Sequence, residues 1–554
     1  MKRIYRRRSW STIVSATAIA ALLGGCAAGG APQESGGPSP DAGASSAEIV
    51  RMANFGQEGN ITPHTYETAT GYNLLGLVYD SLLQIDEAGV PQPWLAEEVT
   101  TSEDGLTYTM PIRDDAAWHD GEPLTAEDVA FSFTYYQDGP PGRFRTAVSN
   151  VESVAVDGET VSVQLLEPGA SFELRTLAEL PILPEHIWSS IDAPDEAPFD
   201  ESTSVGSGPY RLVESDPGTS YSFQANPEYF AGAPTVEEIR VIQFANDAGA
   251  VAALRSGEID IITRSVTPEQ VPVLNGQQGL SVLEGPEYVT TLLAFDTQRA
   301  PFSDVAVRQA INLATDRELL VSDVYLGAAI PGNAGWVHPE SPFYDESIET
   351  TFDVDAANAL LDEAGITDSD GDGVRELDGE ALEVELLAVS SNALRMRIAE
   401  LLAAQYAEIG MRVEVASLDQ EAFDQLVWPE YDVAAGRNYD MAVFGWSAPT
   451  QADIGQMGAL VDSDPTLGNL NITGYRSEEA DALAAELRTE SDPEARRAVA
   501  AELQALIAEE LPLITLLYPN GLYGHSSDAY GGWTSITGQG PINKLSFIPA
   551  DARP

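Results

Sequence analysis

One run, residues 95–133 (LAEEVTTSEDGLTYTMPIRDDAAWHDGEPLTAEDVAFSF), restricts the fold of this chain more than any other. Residues 106–112 alternate in polarity, the period of a strand with one covered face. Glu103-Asp104-Gly105 precede them as a turn, with Gly supplying the positive φ that tight turns require. Asp120-Gly121 form a second turn, just after Trp118 and His119. Thr125 is a good N-cap, and Glu127 and Asp128 fall in the first helical turn, where the helix dipole favours carboxylates. Val129, Phe131 and Phe133 lead into an apolar helix. Taken alone, the run specifies strand, turn and helix.

The same alternation continues along the chain. Residues 49–55 read as a first strand and 74–83 as a helix. Residues 151–166 form a hairpin around Asp157-Gly158. Residues 250–262 read as a helix ended by Gly257 and then a strand. Residues 288–296 are an apolar strand, and Ser303 is the expected N-cap of the helices that follow. Residues 353–365 form an amphipathic helix with Leu360, Leu361 and Ala364 on one side, and 393–409 form another, each stopped by a glycine. Residues 411–415 and 439–446 read as strands. Residues 477–511 hold two helices broken at Ser491-Asp492-Pro493, with Asp492 as N-cap and Pro493 as the first helical residue. Residues 513–518 close as a strand. Helices alternating with short strands indicate an α/β fold. A chain of 554 residues exceeds what one core organises, so two or three lobes are expected.

Asp and Glu number 87 against 28 Lys and Arg, a net charge of -59. Such a surface repels phosphate backbones, so nucleic-acid binding is excluded. It reads as a solvated face suited to a salty exterior. The single cysteine, Cys26, rules out a disulfide within one chain. Its position is informative instead. Lys2 to Arg8 are a basic region, residues 10–23 an apolar one, and Leu23-Gly24-Gly25-Cys26 resembles a bacterial lipobox, in which the Cys is lipidated and becomes the new N-terminus. The apolar stretch is too short for a convincing membrane span. Residues 26–47, rich in Gly, Ala, Ser and Pro, form a flexible tether.

Residues 95–133 together resemble the signature of the extracytoplasmic solute-binding proteins of ABC importers, in the large peptide/nickel class, which carries a similar "DG-aromatic-T … W-x-DG-x-P-x-T-A-x-DV-x-F-S" run. Further segments are similar to that family: PQPWLAE at 91–97, PILPEHIW at 181–188, VGSGPYRL at 205–212, NPEYFAGAPTVEEIRV at 226–241 and PFSDVAVRQAINLATDRELLVSDVYL at 301–326. Gly206 and Gly208 are not a phosphate loop, since no Gly-Lys follows. The resemblance implies a periplasmic-binding-protein-like α/β fold of two lobes joined by a hinge, with an extra inserted lobe. It divides the chain into a signal peptide (1–25), the tether (26–47), a discontinuous lobe I (48–78, 205–288 and 518–554), an inserted lobe II (79–204) and lobe III (289–517). It implies a monomeric, lipid-anchored protein on the extracytoplasmic face of the plasma membrane. Such a protein captures oligopeptides or dipeptides between its lobes and delivers them to a membrane permease by hinge closure, with no cofactor and no catalysis. An oligosaccharide or another small solute is the alternative ligand, and a secreted hydrolase the alternative activity. No HExxH, CxxC or GxSxG motif is present.

The resemblance places ligand contacts in Glu67, Thr68 and Ala69 after the first strand, in Tyr288, around Phe423, and in Gly445, Trp446 and Ser447 at a strand end. In peptide-binding relatives an Asp three residues after that Trp pairs with the ligand's ammonium. Here Pro449 stands there, which leaves Asp453 or Glu67 for an amine, or a ligand without one. For Trp446 both cleft lining and core packing are open. Asp368, Asp370 and Asp372 with Gly373 repeat the start of a calcium loop, but the twelfth position is Gly379 and Glu380 comes one residue late, so a solvated hairpin turn is the expected role.

Overall fold

The computed structural model describes residues 46–55, 61–66, 69–140 and 142–554. Cys26, the tether, Glu67 and Thr68 lie outside the described residues.

Strand β1 (Ala47–Phe55) leads to helix α1 (Ala69–Val78). The helix stops short of the expected Leu83 because the Gly206–Gly208 backbone crosses its end. The Gly208 N–H donates to the Val78 carbonyl at 2.8 Å, and a Cβ on Gly206 would run into that same carbonyl. The two glycines are therefore a close backbone crossing. Gly206→Ala is expected to destabilise the fold by about 1–3 kcal/mol through overpacking. A urea midpoint equal to that of the wild type would refute the crossing.

An inserted sheet follows: β2 (Thr100–Thr101), β3 (Thr107–Pro111), helix α2 (Ala126–Asp138), β4 (Val151–Asp157) and β5 (Thr160–Leu165). Its order is β2-β3-β5-β4, all antiparallel. Helix α2 opens with the expected cap. Thr125 accepts from the Asp128 N–H, and Asp128 accepts from the Thr125 N–H in return. The buried Asp128 carboxylate also accepts from the Glu185 N–H at 2.9 Å, which ties the PILPEHIW segment to the start of α2. Val129 and Phe133 are fully covered.

The chain then forms β6 (Tyr210–Asp216), β7 (Ser220–Ala225), β8 (Val236–Phe244), α3 (Asp247–Ser256), β9 (Ile261–Ile262) and β10 (Leu280–Pro286). Gly257 ends α3 at φ 78, as expected. Next come β11 (Thr290–Phe295), β12 (Glu383–Val389), α4 (Ala393–Ala407), β13 (Arg412–Leu418), β14 (Met441–Trp446), α5 (Glu478–Thr489), α6 (Pro493–Glu510) and β15 (Leu513–Ser526). Two local expectations are corrected. Asp304, one residue after Ser303, caps the helix Val305–Leu313, because its carboxylate reaches the Ala306 N–H. In Val354–Glu363 the covered residues are Ala357 and Leu361, and Ala364 falls past the last turn as its C-cap.

Ten of these strands form one sheet in the order β13-β12-β14-β11-β15-β9-β1-β8-β7-β6, and β10 and Ala329–Pro331 also pair with β15. Strand β15 is longer than the sequence pattern indicates because it serves both halves. Its first part, to Leu517, pairs with β11, and Asn520–Ser526 pairs with β10. Parallel pairing of β1 with β8 and β9, and of β12 with β13 and β14, aligns the carboxyl ends within each half. The register sets both of these edges toward the middle of β15, around Pro519.

The cores divide the same way. One cluster joins the inserted sheet to β1, β6, β7, β8 and the C-terminal segment, with Val50, Phe133, Trp188, Ile239 and Phe547 among its members. Two others lie wholly within residues 289–517 and cover the two faces of the second half.

Candidate ligand cleft

Ligands of open α/β sheets bind outside the carboxyl ends of the strands. Here two such edges face each other, joined by β15 and by the β10–β11 link. Tyr288 sits in that link at φ 55, 5% exposed, with its ring 4.6 Å from that of His338. A non-glycine residue held in the left-handed region marks a strained, over-determined position. Burial pushes the Tyr288 hydroxyl up to about 12, with Glu340 adding to it. His338, packed also against Tyr518, is pulled down to about 4 by burial and is neutral. Its Nδ1 accepts from the Glu340 N–H, so Nε2 carries the proton.

Gly445 and Trp446 end β14 beside Thr291 and Thr290. A side chain at Gly445 would collide with the Arg395 guanidinium. Trp446 is 7% exposed and packs edge-on to Phe444 and Trp428, at 5.0 and 5.2 Å. Both indole N–H groups, of Trp428 and Trp446, lack a partner among the described residues. Ser447 is exposed. The turn after β14 is held by Gln451, which donates to Trp336 O and Thr290 Oγ1 and accepts from the His338 N–H.

Arg395, which the sequence reading missed, lies in the first turn of α4, directly after the carboxyl end of β12. It is half-buried, and burial lowers its guanidinium below its ordinary range, with the Tyr325 hydroxyl opposing. Among the described residues it makes no side-chain hydrogen bond or ion pair, whereas Arg308 and Arg317 in the same half each donate to backbone carbonyls. An unpaired, desolvated cation beside a helix N-terminus is a site for an anion. The signal in sequence was slight: an arginine three residues after an Asn N-cap that follows a strand.

Across from this edge, α1 and the C-terminal segment line a small cavity of about 60 Å³ with Tyr72, Asn73, Asp80, Glu179, Gln539 and Lys544. The turn carrying Gln539 also meets the other half. A Cβ on Gly538 would lie 3.5 Å from Ala448 and 3.9 Å from the Tyr288 ring. Glu179 is held by Arg143 and Arg175. Lys544 pairs with Asp80 at 2.6 Å.

The remaining expected site residues fall elsewhere. Ala69 is the first residue of α1. Phe423 is 1% exposed and stacks on Phe444, so it supports the strand end from the core. Asp453 is 3% exposed and engaged by Ser171, at 2.6 Å, and by Arg496, at 3.6 Å. Its Oδ1 is thus already engaged within the protein, whereas its expected role is to anchor a ligand amine. Asp368, Asp370 and Asp372 come together with Glu376, and not with Glu380, their ligand oxygens lying within 4.8 Å of one another. The three aspartates are exposed and Glu376 is half-buried, and the four accept the loop's own N–H groups, at Ser369, Gly371, Asp372 and Gly373.

Two halves facing each other across a shared strand, with a cation and two indole donors at the edge, define a hinged ligand-binding fold. Residues 90–467 match the bacterial extracellular solute-binding proteins, family 5, and the chain belongs to that family. It is 28% identical over 457 residues to the oligopeptide-binding protein AppA of Bacillus subtilis, covering 80% of this chain and 81% of that one. It is 28% identical over 383 residues to the nickel-binding periplasmic protein of Escherichia coli, covering 66% and 70%. The solved ABC transporter substrate-binding protein CtaP of Listeria monocytogenes superposes with a TM-score of 0.79 at 22% identity, over 91% of this chain and 99% of that one. All three bear the names of binding proteins, and that of CtaP names an ABC transporter. Among the described residues no helix is long and apolar enough to cross a membrane.

Proposed function

We propose that this chain is the extracytoplasmic substrate-binding lipoprotein of an ABC importer. It takes an oligopeptide-like ligand between its two strand edges and hands it to a membrane permease. In this reading Cys26 carries the lipid, residues 26–47 form the tether, and the folded body works as a monomer. Closure occurs about the β10–β11 link and the middle of β15, between lobes bounded as the family resemblance implies. Ligand binds the closed form preferentially and shifts the population toward it. Glu67, Thr68, Ala69, Tyr288, Gly445, Trp446 and Ser447 line the ligand's path, and Arg395 receives a carboxylate. The unpaired Arg395 at the carboxyl edge is the observation that carries the reading. The relationship to AppA, named for oligopeptide binding, supports the ligand class.

A second reading keeps the role and changes the ligand to another carboxylate-bearing solute, such as a metal chelate. It is favoured by Pro449, where peptide-binding relatives carry an Asp, and by the engagement of Asp453 with Ser171 and Arg496. Native mass spectrometry of residues 48–554, purified from rich medium, decides between them. A ladder of masses fitting short peptides, and a rise in melting temperature on adding peptides, is the expected result. A single non-peptide mass, with no stabilisation by peptides, overturns the peptide reading in favour of the second.

A further inference from the structure

The inserted sheet shares its core with the first half of the large sheet, and among the described residues no hydrophobic cluster joins it to the second half. It meets the second half through a polar contact. The segment before the helix Glu173–Leu177 is fastened to the inserted sheet. Asn150 brackets Glu167 with two hydrogen bonds, and Tyr108 packs on Phe172 at 4.8 Å. From there the Ser171 hydroxyl donates to Asp453 Oδ1 at 2.6 Å, across 282 residues of chain. Arg496, in the first turn of α6, donates to that same hydroxyl and to the Ala170 carbonyl, both at 2.8 Å. The Ala170 N–H donates to the Arg488 carbonyl at 3.3 Å, at the end of α5. Arg496 and Asp453 are nearly covered, at 13% and 4% side-chain exposure. The Glu103-Asp104-Gly105 turn also abuts the α5–α6 break: a Cβ on Gly105 would lie 3.9 Å from Ser491 Oγ.

We propose that Ser171, Asp453 and Arg496 form a latch that holds the inserted sheet to the second half when the cleft is shut. Asp453 and Arg496 belong to one half and Ser171 to the other, so rotation about β15 withdraws the hydroxyl and leaves the two charges facing each other. The released Asp453 and Arg496 lie 3.6 Å apart and pair directly, so opening strands no buried charge. The contact is therefore suited to reversible use in a way that an apolar seam is not. The inference rests on the hinge at β15 but not on the identity of the ligand.

Amide hydrogen exchange of the full-length protein, freed of copurified ligand by unfolding, dialysis and refolding, tests it. The Ala170 amide, bonded across the contact, is the reporter. In Ser171→Ala its exchange is expected to quicken about tenfold, because two hydrogen bonds to charged groups are lost. The segments around 488–496 should quicken with it, while the amides of β3 and β5 keep their wild-type rates. Ser171→Thr, which keeps the hydroxyl, restores protection, and Asp453→Asn quickens exchange as Ser171→Ala does. Equal exchange at Ala170 in wild type and Ser171→Ala would overturn the latch. So would a wild-type Ala170 amide that exchanges only with the core amides of β3 and β5, since the contact would then be a permanent part of the fold. Because no ligand is used, a failed peptide reading leaves this result unaffected.

Discussion

Lys544→Met is expected to lower unfolding stability by about 3–5 kcal/mol, the range for stranding one partner of a buried ion pair. Lys544 is 7% exposed and Asp80 is fully buried. Besides Lys544 at 2.6 Å, the Asp80 carboxylate accepts from Trp94 and Tyr229, each at 2.8 Å, and from Ser207 at 3.0 Å. This network fastens the C-terminal segment to the end of α1 and so positions one wall of the cleft. Burial alone would raise the Asp80 carboxyl. The Lys544 charge and the hydrogen bonds from Lys544, Trp94 and Tyr229 outweigh it and hold the carboxyl below its ordinary value. A depressed carboxyl contributes stability that is complete above the unfolded value of about 3.9 and is lost as pH falls through the folded one. Without Lys544 the burial cost remains, the carboxyl rises above its unfolded value, and the sign inverts. The variant then loses stability as pH rises. The gap between wild type and variant, measured by urea unfolding, should widen from about pH 4 to about pH 7. Asp80→Asn combined with Lys544→Met should recover part of the loss, because no charge is left buried. A gap independent of pH would contradict the assignment.

Arg395→Leu is expected to act in opposite directions on stability and on binding. Removing a desolvated cation that has no partner should leave the unliganded fold as stable as the wild type, or more so by about 1 kcal/mol. Affinity for the carboxylate-bearing ligand recovered by mass spectrometry should fall about 30-fold to about 1,000-fold, the range for truncating one side of a buried charged contact. Calorimetric titration measures both this and its complement. A ligand whose carboxylate is amidated should bind the wild type with the same loss and lose little more in the variant. Undiminished affinity in Arg395→Leu would remove Arg395 from the site and, with it, the main support for a carboxylate ligand.

The local elements were readable because their causes are local. Thr125 and Asp128 cap α2 as their spacing requires, Gly257 ends α3, and Asp492-Pro493 start α6, since each depends on a few neighbouring backbone groups. The family was readable because the run at 95–133 is long, and the match over 90–467 agrees with it. Long-range partners were not. Asp453 looked available because sequence distance conceals Ser171 and Arg496, which engage its Oδ1. Phe423 was placed at the cleft by the family resemblance alone, which does not reveal that its ring stacks on Phe444. Arg395 went unnoticed because an arginine is significant only when nothing answers its charge, and that can be judged only once the surroundings are assembled.

The sequence by itself determined the α/β alternation, the caps and turns that bound each element, the acidic surface and the membership of the family. Only the tertiary structure decided that one strand, β15, serves both halves and that the two carboxyl edges face each other across it. It also decided which charges are answered and which are left open. The reason is physical: capping and periodicity act within a turn or two of chain, whereas strand pairing and the desolvation of a charge depend on groups hundreds of residues away.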